Sequence, residues 1–232
     1  SKAMRGLQLL KEADLPVTVR VTVNRFNVGD LKSIAKLLLE DLGLHSFSTN
    51  DAMPMGAGDD NNSEITLTAE QKVKSMHILA ELSQRYGGRV TAMAGPLAKW
   101  KAYREMEQAK AAGKGIATGK MGYLTGCGCV FSKLSVHHDG SITPCNMLTK
   151  LEMGRINVDS LSKIWREHTI LKQLKDRRNI AMASISVCRD CEWSLLCNGG
   201  CPGLAFEMTG DFNRPNPHDC YRTFVQETGG ID

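Results

Sequence analysis

All eight cysteines of this 232-residue chain lie at or beyond position 127. Cysteine thiolates bind soft and iron-based metal centres, and cysteine is also the residue that forms disulfides. The densest group is Cys188-x2-Cys191-x5-Cys197-x3-Cys201. A Cys-x2-Cys pair bends the chain so that two sulfurs converge on one metal or cluster. The longer gaps then return further sulfurs from the next turns. Gly199 and Gly200 remove side chains where backbone must pass close to an inorganic core, and N–H groups exposed in such turns can point at anionic sulfur. Cys220 lies behind a Pro215-Asn216-Pro217 turn. Upstream, Cys127-Gly128-Cys129 precedes an expected hairpin, with strands at 133–137 and 141–143 and a His138-Asp139-Gly140 turn, which delivers Cys145. Three sulfurs near this hairpin and five downstream suffice for two four-thiolate sites.

Spacing alone leaves three identities open. An even cysteine count is compatible with disulfides, but the first residues enter a helical pattern with no apolar leader core, and a reducing compartment favours metal binding. Two zinc ions would use the same arithmetic. Zinc ribbons, however, usually pair two Cys-x2-Cys knuckles, and only one knuckle is present. Two iron–sulfur clusters are the third solution.

The elements that must carry these residues divide into two kinds. Residues 2–13 place Met4, Leu7 and Leu10 at helical spacing, and Val17, Val19, Val21 and Val23 then alternate with polar residues as a strand does. Asp30 is expected to cap a helix striped by Leu31, Ile34, Ala35, Leu38 and Leu42 and ended by Gly43. A short strand at 44–49 and a loop at 54–63 follow. Thr68-Ala69-Glu70-Gln71 is a capping box for a helix to about Tyr86, and 89–94 is a further strand. Strands separated by amphipathic helices imply parallel β-α-β crossovers, and two or three strands are too few for a closed barrel. Residues 97–112 read as a linking helix and 113–126 as a loop, after which short segments and turns dominate.

Bulk composition narrows the function classes. With 42% hydrophobic and 23% charged residues the chain is a folded protein, and no run of about 18 apolar residues exists, so no membrane span is expected. The net charge of +4 is dispersed. Its densest group, Lys172, Lys175, Arg177 and Arg178, reads as a solvated helix face rather than a nucleic-acid surface. His137 and His138 are expected to be exposed hairpin residues, Met53, Met55, Met76 and Met93 core filler, and Trp165 and Trp193 packing residues.

At the cysteines and the text between them the chain resembles the SPASM domain, the C-terminal extension of many radical S-adenosylmethionine (SAM) enzymes. The resemblance rests on Gly140-x4-Cys145 with Cys127 and Cys129 before it, Gly154-Arg155-Ile156-Asn157, Ile164-Trp165, Glu192-Trp193, Cys197-Asn198-Gly199-Gly200-Cys201-Pro202 and Asp219-Cys220. It covers roughly residues 120–225. It implies an α/β architecture: C-terminal βα units of a partial TIM-like barrel at 1–100, a linker at 101–119, and a small α+β cysteine-rich domain at 120–232. By the same resemblance, Cys127, Cys129, Cys145 and Cys201 hold a first auxiliary [4Fe–4S] cluster, although one of the closely spaced Cys127 and Cys129 can be a non-ligand. Cys188, Cys191, Cys197 and Cys220 hold a second. Asn24 and Asn27, at the end of the valine strand, lie on the side of SAM, and Met53-Pro54-Met55-Gly56 resembles a segment touching the nucleoside.

No cysteine occurs before 127, so the Cys-x3-Cys-x2-Cys motif of the SAM-cleaving cluster is absent from this sequence. SAM and a third [4Fe–4S] cluster are expected only with an N-terminal barrel half, and this chain alone is expected to be inactive, with no catalytic residue of its own. The implied partners are a peptide or small-protein substrate and an electron donor such as a flavodoxin or ferredoxin, with no nucleic acid and no membrane, in the cytoplasm. Aerobic handling is expected to let zinc replace iron. Asn146 stands where sulfatase-maturing relatives carry an acidic base, which disfavours that branch. The competing reading is a zinc-stabilised binding module without a redox role.

Overall fold

The computed structural model describes residues 2–55, 62–113 and 121–231. Parts of the expected loops, Gly56–Asn61 and Lys114–Lys120, lie outside the described residues. The chain forms two compact units, residues 1–105 with 227–232 and residues 106–226.

The first unit is α/β. Helix α1 (Lys2–Glu12) leads to β1 (Val19–Val23), where the valines face inward and Arg20 and Thr22 outward. Helix α2 (Leu31–Lys36) continues as a π-helical turn through Asp41 and buries Leu31, Ala35, Leu38 and Leu39. Asp30 makes no side-chain cap bond, because a 3-10 turn at Val28–Asp30 already leads the chain into the helix. Strand β2 (Phe47–Asp51) begins three residues later than the expected 44–49, because Leu44 is used before the strand, its N–H bonded to Leu38 O and its side chain in the core.

After the single turn α3 (Asn62–Ile65), the Thr68 capping box forms in full, Thr68 Oγ1 accepting from Gln71 N–H and Gln71 Oε1 from Thr68 N–H. It starts α4 (Ala69–Arg85). Strand β3 (Val90–Ala92) then pairs parallel with β2, as β2 does with β1, in the order β1-β2-β3. Phe47, Leu79, Leu82, Val90 and Leu97 meet in one core. Met93 is 93% exposed and no core filler, because β3 ends one residue before it. Met76 is fully buried.

Helix α5 (Gly95–Ala111) starts at a glycine that the sequence did not single out. A Cβ there would stand 2.7 Å from the backbone of Asn50 and Asp51, and its φ is +77°, so the helix can abut the end of β2 only with glycine. Next to that contact Lys99 forms a buried ion pair with Asp51 at 3.2 Å.

The second unit carries a small antiparallel sheet. Strands β4 (Ser135–Val136) and β5 (Ser141–Thr143) form the expected hairpin, shorter at its first strand, and β6 (Gly154–Arg155) adds an unforeseen third strand. Gly140 has φ +85°, as the turn demands. The region 161–174 is two helices, α6 (Leu161–Glu167) and α7 (Thr169–Asp176). The break is at His168, whose backbone is extended and whose imidazole Nδ1 accepts the Ile170 N–H at 3.3 Å, so it caps the second helix. Helix α8 (Pro202–Thr209) follows Cys201, with proline at its first turn, and α9 (Tyr221–Thr228) follows Cys220. No helix of the described residues is long and apolar enough to cross a membrane.

Candidate iron–sulfur centre

All eight cysteines are free thiols. They are placed by turns rather than by long elements. Cys188 ends a 3-10 turn, and Cys191 N–H bonds back to Cys188 O at 3.1 Å, which closes the Cys-x2-Cys knuckle. Ser194 N–H then bonds to Cys191 O and Cys197 N–H to Trp193 O, two further turns that bring the third sulfur round. Cys220 arrives through a 3-10 turn at Pro217–Asp219. Cys188, Cys191, Cys197 and Cys220 together wall a cavity of about 260 Å³, closed on other sides by Met182, Trp193 and Tyr221. Trp193 and Tyr221 meet edge to face, with ring centroids 4.8 Å apart, and Trp193 is buried.

Cys201, although contiguous with that motif, is influenced by Cys127 and Cys145. Burial raises its pKa, opposed by the Leu204 and Gly203 N–H groups in the first turn of α8, and the sulfur charges acting on it are those of Cys127 and Cys145. Cys129 stands between Cys127 and Cys145 and hydrogen-bonds to both. It keeps its proton, its pKa raised by those two bonds and by burial. The bond from Cys129 lowers Cys127 to about 6 and Cys145 to about 7.

In the other set burial is the leading cause: it pushes Cys197 up to about 11, against the Gly199 N–H that donates to its Sγ at 3.4 Å, and it raises Cys188. The sulfurs acting most strongly on Cys188 and Cys197 are drawn from Cys188, Cys191 and Cys220. The eight thiols therefore fall into two electrostatic sets that interleave along the sequence.

Among the described residues no three His, Cys, Asp or Glu side chains converge tightly enough to hold a single metal ion. Four thiols on the wall of one open space fit a thiolate-bound metal centre.

The two loops that hold the sets are locked together by glycine. Gly122 N–H bonds to Cys197 O and Gly126 N–H to Asn198 O, both at 2.8 Å, and a Cβ on Gly126 would lie 2.4 Å from Gly200 O. Gly199 and Gly200 have φ of +75° and +67°, and their hydrogen atoms face Leu124 and the Asn216–Asp219 turn. Their main service is thus close chain-to-chain packing, with Gly199 also lining the cavity. Gly126 was illegible as a site residue because only its tertiary partner reveals its role.

Arg177 departs from the expected solvated basic face. It is 3% exposed, and its Nε, Nη1 and Nη2 donate to Phe212 O, Leu124 O and Arg214 O. Of the remaining expected residues, His138 is exposed and His137 Nε2 lies 2.8 Å from Thr143 Oγ1. Asn24 and Asn27, in the first unit, shape the loop after β1: Asn24 Oδ1 accepts from Phe26 N–H, Asn27 Oδ1 accepts from Asn24 N–H, and both amides donate to Thr22 O.

Residues 127–192 match the family model for SPASM, an iron–sulfur cluster-binding domain. An AdoMet-dependent heme synthase of Methanosarcina barkeri (strain Fusaro / DSM 804) is 26% identical over 229 residues, covering 95% of this chain and 60% of that protein. One from Nitratidesulfovibrio vulgaris (strain ATCC 29579 / DSM 644 / CCUG 34227 / NCIMB 8303 / VKM B-1760 / Hildenborough) is 25% identical over 240 residues, covering 95% and 58%. The fold is similar to that of native anSMEcpe with bound AdoMet and Kp18Cys peptide, with a TM-score of 0.56 and 18% identity over 97% of this chain and 59% of that one. The chain thus spans about 60% of the length of the curated relatives it matches.

Proposed function

From a chain that carries a C-terminal SPASM iron–sulfur domain and is homologous to radical SAM heme synthases, we propose the auxiliary-cluster portion of a radical SAM enzyme that modifies a peptide or small protein. Cys127, Cys129, Cys145 and Cys201 would hold one [4Fe–4S] cluster and Cys188, Cys191, Cys197 and Cys220 the other. The observation that carries this reading is the interleaved division of the thiols, with four of them around one cavity. Bound there, the clusters supply one-electron transfer or an iron site for substrate. The protein's own part is to exclude water with Trp193, Met182 and the apolar group of Val130, Leu148 and Leu174 around Cys145. It also directs N–H groups such as that of Gly199 at sulfur, where they offset negative charge.

The first unit is read as the last βα units of a partial barrel, an assignment supported by its parallel β1-β2-β3 order. SAM would approach the strand ends near Asn24 and Asn27. A flavodoxin or ferredoxin would supply electrons in the cytoplasm, and the SAM-cleaving cluster would come from a barrel half that this sequence does not contain. A tetrapyrrole is the second reading of the substrate, favoured by the names of the curated relatives.

Anaerobic reconstitution tests the cluster reading. A brown protein with visible thiolate-to-iron absorption and acid-labile sulfide is expected, whereas a colourless protein holding stoichiometric zinc would support the binding-module alternative. Titration with an iron porphyrin separates the substrates: an unchanged Soret band fits a peptide, a shifted one a tetrapyrrole.

A further inference from the structure

A buried guanidinium does not lose its proton, so it must be offset by nearby negative charge. Arg177 is in that position. Its hydrogen bonds go to three neutral carbonyls, of Phe212, Leu124 and Arg214. The anionic groups that act on it are, in order, Cys201, Cys127, Asp211 and Cys129. Asp211 also pairs with Arg214, at 3.7 Å. What remains is three sulfurs of a single cysteine set. Bound to iron, all three are permanently thiolates. In the other set the cation that acts on Cys188, Arg222, is exposed to solvent and screened by it.

We propose that Arg177 is a redox-positioning residue that holds a fixed positive charge beside the cluster of Cys127, Cys129, Cys145 and Cys201, and thereby makes that cluster easier to reduce. This rests on the reading that the set binds an iron–sulfur cluster. Reduction adds one electron from an external reductant and makes or breaks no bond, so the cluster and its thiolates become more negative by one charge. In a water-poor site that added charge is stabilised by a nearby cation and by little else. The carbonyl contacts fix the guanidinium at its post, and the charge does the tuning. The sequence hid this role, because Arg177 sits among Lys172, Lys175 and Arg178 and looks like part of a surface stripe.

The test is a dithionite titration of the anaerobically reconstituted chain, followed by electron paramagnetic resonance, for wild type, R177K and R177Q. Repeating it with Cys197 and Cys220 both changed to Ala assigns the signals. In R177Q the reduction equilibrium of the first cluster should become at least about tenfold less favourable, a shift of about 59 mV to lower potential for one electron. The second cluster should stay in place, and R177K should remain close to wild type. Unchanged potentials in R177Q, or equal shifts in R177K and R177Q, would overturn the proposal. If R177Q fails to load the first cluster, R177K decides. Loading at the wild-type potential upholds the charge, and equal loss in both variants shows a purely structural arginine and sinks it. A wild-type chain that loads no iron refutes the cluster reading itself, before any variant is made.

Discussion

The unit built on β1–β3 and the unit that carries the cysteines are of similar length, but they are held together by different physics. In the first, Phe47 and Val90 from the sheet, Leu31 and Leu38 from α2 and Leu79 and Leu82 from α4 share one contiguous apolar core. In the second, apolar residues gather in smaller groups, Val130 with Leu148 and Leu174 and Ile142 with Ile164 and Leu171, and the cysteines are carried by turns. A contiguous core can stabilise a fold by burial alone, whereas a turn-rich unit with small cores leaves a large share to bound metal. Stability in this molecule is therefore divided by region, and each half can be attacked separately.

The largest effect should come from removing the metal. Chelation, or Cys191→Ala, should abolish hydrogen-exchange protection across most of 121–226 and leave β1–β3 with α2 and α4 protected. Loss spread evenly over both units would show one cooperative structure and break the comparison. In the opposite direction, Phe47→Ala or Leu79→Ala should destabilise the first unit by about 2–5 kcal/mol in a denaturant melt. The iron content of the second unit should stay as it is, and iron lost in step with the first unit would count against the division.

Within the second unit the two cysteine sets should differ chemically when no metal is bound. Cys127, lowered to about 6, is largely thiolate at neutral pH and Cys145, lowered to about 7, is about half so, whereas Cys197, pushed up to about 11, is protonated. Iodoacetamide near neutral pH should thus label Cys127 and Cys145 on the order of a hundredfold faster than Cys197, after allowance for the weaker nucleophilicity of a low-pKa thiolate. Labelling of the fast pair should fall as pH drops through about 6 to 7, and Cys197 should catch up only as pH climbs toward about 11. Equal rates at every pH would remove the distinction between the sets. The smallest effect is local: Thr68→Ala should cost about 1 kcal/mol by removing the cap of α4, measured on the first unit.

Much of the first unit was legible because its signals are periodic and local. The valine alternation of β1, the stripe on α2 and the Thr68–Gln71 box each act within one element. Asp30 misled, because a 3-10 turn in front of the helix takes over the entry that a capping side chain would provide. Long-range roles were the ones hidden. Gly95 is required by the backbone of Asn50, Gly126 by Gly200, and Arg177 by carbonyls 35 to 53 residues away, and no window of sequence contains both members of such a pair. His168 divides α6 from α7 because its ring can cap as a threonine does, a use that apolar periodicity does not register. The interleaving of Cys201 with Cys127 and Cys145 lay outside spacing for the same reason, since the nearest sulfurs in sequence belong to the other set.

That interleaving is the central claim, and counting iron and sulfide in two double variants tests it. Wild-type chain reconstituted without oxygen should hold about eight irons, four for each set of four thiols. The chain lacking Cys145 and Cys201, both changed to Ala, should keep about four, with the cluster of Cys188, Cys191, Cys197 and Cys220 spectroscopically intact. The chain lacking Cys197 and Cys220 should also keep about four, now in the other set. If Cys201 belonged with its sequence neighbours, the first double variant would damage both sites and its iron would fall toward none, which would contradict the account.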